Sequence, residues 1–164
     1  EFNARKKVGF VFQNFEDQLV YSIVEEDIAF GLENLELKNN EMISIVKKTL
    51  SKLKIENLAK NNVNMLSSGQ KQLIALAGVL AMKPEYIVFD EPTTMLDVEN
   101  KKNIINIIKE LNKKDKITII LITNVLNDVK YAENIIVLKN GSIVFNGKKS
   151  SLNKKILKGA GLDA

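Results

Sequence analysis

Cysteine, histidine and tryptophan are all missing from this chain of 164 residues. Without cysteine there is no disulfide framework and no thiolate metal site. Without histidine the commonest general base and the commonest metal ligand are gone. No long hydrophobic run is present either. The longest, Leu73 to Met82, is closed by Lys83-Pro84 and is too short to cross a bilayer, so any membrane link must come through a partner. No charged-then-apolar leader pattern opens the chain. The net charge is +4, spread over scattered lysines with no dense basic block. That pattern reads as solvated helix faces, and no nucleic-acid partner is expected. What is present is enough for one domain with a real core. Hydrophobic residues make up 45% of the chain, which excludes disorder. The lack of cysteine suits a cytoplasmic setting.

Periodicity divides the chain. Val8 to Phe12 is a short apolar strand, followed by a polar turn over Gln13 to Asp17. Acids Glu25, Glu26 and Asp27 stand where a helix would begin, at the positive end of its dipole. Met42, Ile45, Val46, Leu50 and Leu53 form one helix face, with Lys47, Lys48 and Lys52 outward. Residues 57–64 are a polar connection. Ser67 to Gln70 opens a nearly all-apolar helix that Pro84 stops. Tyr86 to Phe89 and Ile117 to Ile122 read as buried strands. Between them Ile104, Ile105, Ile107, Ile108 and Leu111 make a helix stripe. Residues 127–131 read as a short helix. Ile135 to Leu138, the turn Asn140-Gly141 and Ser142 to Phe145 read as a hairpin. Strands apolar throughout, separated by helices, predict an α/β fold with a parallel sheet covered on both faces. About residues 14–83 hold no convincing strand and read as a helical insertion. Residues 84–164 read as the C-terminal part of the α/β core.

Two patterns carry chemistry. Tyr86 to Phe89 is followed by Asp90-Glu91, a buried strand ending in adjacent carboxylates. A strand places its first acid at the carboxyl edge of the sheet, where ligands bind in α/β folds. Such an acid can hold Mg²⁺ through water, and the next can polarise an attacking water. A plain strand terminus with a helix cap would look the same. Ser67 with Gln70 makes an S-x-x-Q capping box, and Gly69 lets the backbone approach a ligand. A helix start of this kind is an anion site. An ordinary capped helix is again the alternative.

The two occur together, in the string Leu66-Ser67-Ser68-Gly69-Gln70, an alanine-bearing helix, the strand, Asp90-Glu91-Pro92-Thr93 and Met95-Leu96-Asp97. This string resembles the ABC ATPase family: its signature motif, Walker B strand and D-loop. Val11-Phe12-Gln13 matches the Q-loop, Ile122-Thr123-Asn124 lies where the H-loop should be, and Val137 to Gly147 resembles the closing hairpin. Asp17 to Val20, Val24 to Gly31 and Glu33-Asn34 look like the A-components of energy-coupling-factor transporters, which import metal ions or vitamins. The resemblance implies a P-loop NTPase-like parallel-sheet core with a helical subdomain insertion. It implies ATP and Mg²⁺ as cofactors and hydrolysis coupled to transport. Glu91 would act on the water, with Gln13 and the residue at Asn124 assisting. Asp90 and Gln13 would sit in the metal shell, and Ser67, Ser68, Gly69, Gln70 and Asp97 at the nucleotide. The implied partners are a second ABC ATPase subunit, as a homo- or heterodimer, and a transmembrane coupling subunit at the cytoplasmic face of the cell membrane.

The chain departs from the pattern at three places. It carries no Walker A loop, G-x-x-x-x-G-K-[ST]. Family order puts that loop upstream of Gln13, so the chain is expected to begin downstream of it, with the N-terminal part of the core missing. Gly141 and Gly147-Lys148-Lys149 imitate it with the wrong spacing and a lysine in place of the metal-binding hydroxyl. Asn124 stands where the family has a histidine; it can donate a hydrogen bond but cannot become cationic. Ser68 replaces a glycine, a mild change at a helix start. Three functions compete. The first is the ATPase subunit of an energy-coupling-factor importer, inactive alone as these 164 residues. The second is an ABC ATPase acting on DNA or ribosomes, which would need coiled-coil or paired-domain insertions. The third is a degenerate pairing module contributing only Ser67 to Gln70, which Asn124 favours and Glu91 opposes. Phe15, Leu19 and Tyr21 are candidates for a partner-docking groove, with core packing as the alternative.

Overall fold

A computed structural model describes residues 7–35 and 37–162. The chain divides into two compact units at Ile122/Thr123. In the first, strands β1 (Val8–Val11), β2 (Tyr86–Asp90) and β3 (Thr118–Ile122) form a parallel sheet in the order β1-β2-β3. Helices α1 (Val24–Glu33), α2 (Asn39–Leu53) and α3 (Ser68–Ala81) fill the sequence between β1 and β2, and α4 (Val98–Lys113) joins β2 to β3. Residues 57–64, expected as a plain connection, are punctuated by 3₁₀ turns at Glu56–Leu58 and Val63–Met65. An isolated antiparallel bridge, Ile23 to Asn62, ties that stretch to the start of α1.

Helix α3 is the hub. Nine of its residues are buried, from Gly69 to Ala81. A helix that is apolar nearly all round has to be packed on several sides, and α3 contacts α1, α2 and β1. Ile74 and Leu76 are essentially sealed from solvent, and each contributes about 1.5–3 kcal/mol by burial. Gly9 of β1 is what lets α3 come close: a Cβ there would lie 2.3 Å from Val79 Cγ1. The predicted stripe of α2 holds, with Val46, Leu50 and Leu53 buried and Lys47 and Lys48 exposed. In α4 the inner line is Ile104, Ile108 and Leu111, while Ile105 and Ile107 flank it.

The sheet departs from the sequence reading in one respect. Val11, Ile87 and Phe89, with Ile119 and Leu121 beside them, belong to the main core. The opposite face carries Val8, Tyr86, Ile120 and Ile122, which are 42–50% exposed. Continuous apolar strands predict cover on both faces. Among the described residues of this unit burial is one-sided, because α3 and α4 both pack toward the Val11–Phe89–Leu121 side.

The second unit is a hairpin with a helix. Strands β4 (Asn134–Lys139) and β5 (Ser142–Lys148) pair antiparallel with a register shift at Val137/Leu138. Asn140 and Gly141 both have positive φ, 49° and 76°, the geometry of the two-residue turn that matches strand twist. Helix α5 (Lys154–Ala160) contacts both strands, and Ile135 and Val137 are buried. The short helix expected at residues 127–131 is a 3₁₀ turn, Asp128–Tyr131.

Candidate functional site

The site is built at the carboxyl ends of β1 and β2. After β1 the chain turns through Gln13 and Asn14 into a 3₁₀ turn, Phe15–Gln18. Three contacts shape that turn. Phe15 is 4% exposed and anchors it in the core, which settles Phe15 as a packing residue and not a docking one. The side chain of Gln18 imitates a neighbouring strand: its Nε2 donates to the Phe10 carbonyl at 3.0 Å, and its Oε1 accepts from the Phe12 N–H at 2.8 Å. Lys71 of α3 pairs with Glu16 at 2.8 Å. Gln13 is left at the tip, its Nε2 3.4 Å from Glu91 Oε2, a long hydrogen bond.

At the end of β2, Asp90 still pairs in register with Ile122 of β3 and is partly buried. Glu91 breaks the strand with φ at +45°. A non-glycine residue there is strained, and such strain persists only where surrounding contacts enforce it. Here its N–H donates to the Ile122 carbonyl at 2.9 Å, and Thr94 Oγ1 donates to Glu91 Oε2 at 2.9 Å. The sequence pattern that reads as Walker B thus becomes an acid in the strand and a second acid twisted out of it, facing Gln13.

The start of α3 has the expected capping box. Ser67 N–H donates to Gln70 Oε1 at 3.0 Å, and Gln70 N–H donates to Ser67 Oγ at 3.4 Å. Ser67 and Ser68 are exposed and Gly69 is buried. A Cβ on Gly69 would come within 2.6 Å of the Asn100 side chain, so any larger residue would have to displace that side chain from Asp97. The uncapped amides of this first turn and the helix dipole favour an anion. Asp97 is the N-cap of α4. Its Oδ1 accepts from the N–H groups of Asn100 and Glu99, and its Oδ2 from Asn100 Nδ2. The bonds from Asn100 hold its carboxyl below the ordinary carboxylate value. Both oxygens are therefore engaged within the chain.

Asn124 lies in the second unit, exposed, one residue after Thr123. Thr123 Oγ1 accepts from the Val125 N–H at 3.0 Å and donates to the buried carboxylate of Asp128 at 3.4 Å, which fixes the local turn. Gly147 and Lys148 close β5, and Lys149 opens a 3₁₀ turn. That is an antiparallel strand end, without the strand-to-helix turn that cradles phosphate. The first unit carries Gln13, Ser67, Ser68, Gly69, Gln70, Asp90, Glu91 and Asp97; it joins Gln13 to Glu91 and Ser67 to Gln70, and sets Gly69 against Asn100, which binds Asp97.

Sequence reasoning missed three residues that hold this arrangement: Gln72, Thr94 and Asn100. Gln72 is 2% exposed and donates from Nε2 to the Pro92 carbonyl at 2.7 Å. Its signal was an amide at the point where the polar start of the helix gives way to the apolar run from Leu73. Thr94 and Asn100 gave none, since threonine in a turn and asparagine near a helix start are ordinary.

Comparison with known proteins fits this geometry. The family model described as ABC transporter matches residues 2–94. An energy-coupling factor transporter ATP-binding protein of Clostridium novyi is 46% identical over 99% of the chain, and one of Pediococcus pentosaceus is 43% identical over the same share. The chain spans about 59% of the length of each of these relatives. Among solved structures, cbiO1 from Clostridium perfringens, part of an ABC transporter complex, superposes with a TM-score of 0.85. It is 34% identical, with 95% of this chain and 63% of that one covered. A dimeric ATP-binding cassette in a post-hydrolysis state with ADP and Pi bound gives a TM-score of 0.75 at 30% identity, covering 88% of this chain and 63% of that one. With its α/β core, its capped α3 start and its twisted Asp90-Glu91 pair, the chain belongs to the ABC transporter family.

Proposed function

We propose that this chain is part of the ATP-hydrolysing subunit of an energy-coupling-factor importer for a metal ion or a vitamin. The observation that carries the reading is the meeting of Gln13 and Thr94 on the Glu91 carboxylate at the end of β2. A carboxylate held by two donors at a sheet's carboxyl edge is placed to polarise a water. The relatives' description as energy-coupling factor proteins supports the transporter class.

The residues present fit Mg²⁺ as that ion is usually bound. Among the described residues no group of three or more candidate ligands gathers. Mg²⁺ asks for less, one or two protein oxygens with waters and substrate phosphates completing the shell. Asp90 and the amide oxygen of Gln13 would supply them. Bound there, the ion would neutralise charge on the phosphoryl oxygens. Glu91 would take up the water's proton, and Asn124 holds the place in the sequence where the family has a histidine. The exposed start of α3, Ser67 to Gln70, would offer its donors, with Asp97 nearby, to nucleotide held by a second ATPase subunit.

Docking on a transmembrane coupling subunit, at the cytoplasmic face of the membrane, fits a groove of about 200 Å³ floored by Val79 and Met82 and edged by Phe30. Tyr21 and Phe30 stack edge-on at 5.7 Å and are 39% and 41% exposed. Leu19 turns inward against the core. The test is reconstitution of the natural-length protein with a second ATPase subunit and its membrane coupling partner in liposomes. ATP-driven uptake of a metal ion or vitamin supports the reading. Failure to copurify with any membrane coupling protein refutes it.

A further inference from the structure

Helix α3 is fastened at two points, to the start of α4 and to the loop that carries Glu91. At one, Gly69 lies under the Asn100 side chain so closely that a Cβ would intrude to 2.6 Å. At the other, Gln72 donates to the carbonyl of Pro92, the residue next to Glu91, at 2.7 Å. The second fastening has a peculiar cost. Gln72 is 2% exposed, and its Oε1 is buried without a hydrogen-bond partner among the described residues. An orphaned buried acceptor is destabilising, and an apolar side chain of the same shape would avoid that cost. Stability alone would favour leucine or methionine here, in a helix whose next residues are Leu73, Ile74, Ala75 and Leu76.

The position of the bonded carbonyl explains what the amide is for. Glu91 sits at φ +45°, a conformation that relaxes unless its neighbours hold it. Its N–H is held from β3 through Ile122, and its carboxylate is met by Thr94 and Gln13. The peptide one residue further on, Pro92–Thr93, is held from α3 through the Pro92 carbonyl. Remove that bond and the turn Pro92 to Asp97 loses a direct hydrogen bond to α3. Since α3 also carries Ser67 to Gln70 one turn earlier, a shift of the helix start would reach the Glu91 turn through Gln72.

We infer that Gln72 is a positioning residue that couples the anion-favouring start of α3 to the turn holding the Glu91 carboxylate. It acts through Pro92 and touches neither nucleotide nor water. The inference rests on the proposed ATPase role. Whichever of the two sites of a pair carries turnover, one end of this clamp belongs to it: Glu91 in this chain's own site, Ser67 to Gln70 in the partner's.

The test is Gln72→Met in the natural-length protein assembled with its partners, read by phosphate release against ATP concentration and by thermal melting. Methionine keeps the length, removes the donor and removes the orphaned acceptor. The expected result is kcat lower by about tenfold to a hundredfold, the loss typical of small misplacement of reacting groups. KM should stay within about threefold and Tm should not fall. A merely structural role would lower Tm and leave the kcat of the folded protein unchanged, and kcat within twofold of wild type overturns the inference. If the methionine variant does not fold, hydrogen exchange on the wild-type complex decides. A non-hydrolysable ATP analogue should change protection of residues 66–70 and 91–97 together, and a response of 66–70 alone overturns the coupling. A wild-type complex with no ATP turnover refutes the proposed function and this inference with it. A wild-type complex that turns over beside an unaffected Gln72→Met refutes this inference only.

Discussion

Asp27 is the one buried carboxylate of α1, 7% exposed, and it ties the Gln13 turn to the helix that follows. Its Oδ1 accepts from the N–H of Val20 at 2.6 Å and of Tyr21 at 2.9 Å. Burial pushes its pKa up, and the two backbone bonds offset that only in part. Asp27→Ala strands both N–H groups. Each loss costs about 1–3 kcal/mol, and partial access of water keeps the total near about 2–4 kcal/mol. Asp27→Asn keeps one acceptor oxygen and removes the buried charge, so the two effects oppose and the change stays within about 1 kcal/mol. The pH dependence has a definite sign. A carboxyl whose folded pKa exceeds its unfolded value makes a stabilising contribution that is complete below the unfolded pKa and is lost as pH rises through the folded pKa. Wild type should therefore gain stability relative to Asp27→Asn as pH falls from about 7 to about 4, near the carboxylate range. Urea denaturation of both proteins across that range measures it. A wild type that loses ground to Asp27→Asn on acidification would mean that the hydrogen bonds outweigh the burial, and the reasoning would be wrong.

Further outcomes follow from other parts of the fold. Ser67→Ala, which removes the cap of α3, should cost about 1 kcal/mol in denaturation experiments; a neutral result would show that the buried face of α3 alone fixes its start. The 164-residue chain should show negligible ATP binding in calorimetry, because it lacks a Walker A loop; micromolar binding would contradict this. The outer edge of β3 has no partner strand among the described residues, and Ile120 and Ile122 are exposed beside it. The 164-residue chain should therefore self-associate in analytical ultracentrifugation, and a monodisperse monomer would count against that edge being open. Tyr21→Asp or Phe30→Asp in the natural-length protein should reduce copurification of the membrane partner without lowering Tm; normal copurification would place the docking surface elsewhere.

Elements with a strong period were legible in the sequence. The α2 stripe, the strand ending at Asp90 and the Asn140-Gly141 hairpin all stand close to where periodicity and turn chemistry put them, because each is decided by neighbours in sequence. The capping box of Ser67 and Gln70 was legible for the same reason. What was not legible depended on residues far apart. One-sided burial of the sheet follows from where α3 and α4 pack, which the apolar strands could not encode. Phe15 looks like a surface aromatic in a polar turn, and only the docking of that turn against α3 buries it. The left-handed Glu91, the Gly69–Asn100 contact and the Gln72 bond to Pro92 join segments 20 or more residues apart in sequence. The N-cap bonds of Asp97 at the start of α4 were likewise not read from the motif.

The role proposed for Glu91, in a chain that carries asparagine at position 124, is open to one direct measurement. Steady-state, Mg²⁺-dependent phosphate release would be followed in the natural-length protein assembled with its second ATPase subunit and membrane partner. Loss of one positioned donor typically costs about 10²–10³ in rate, so Asn124→His should raise turnover. Adding Glu91→Gln to that variant should abolish the gain, because the carboxylate proposed to polarise the water is then gone. A gain that survives without Glu91, or no gain at all from Asn124→His while Glu91→Gln alone abolishes turnover, would contradict the assignment.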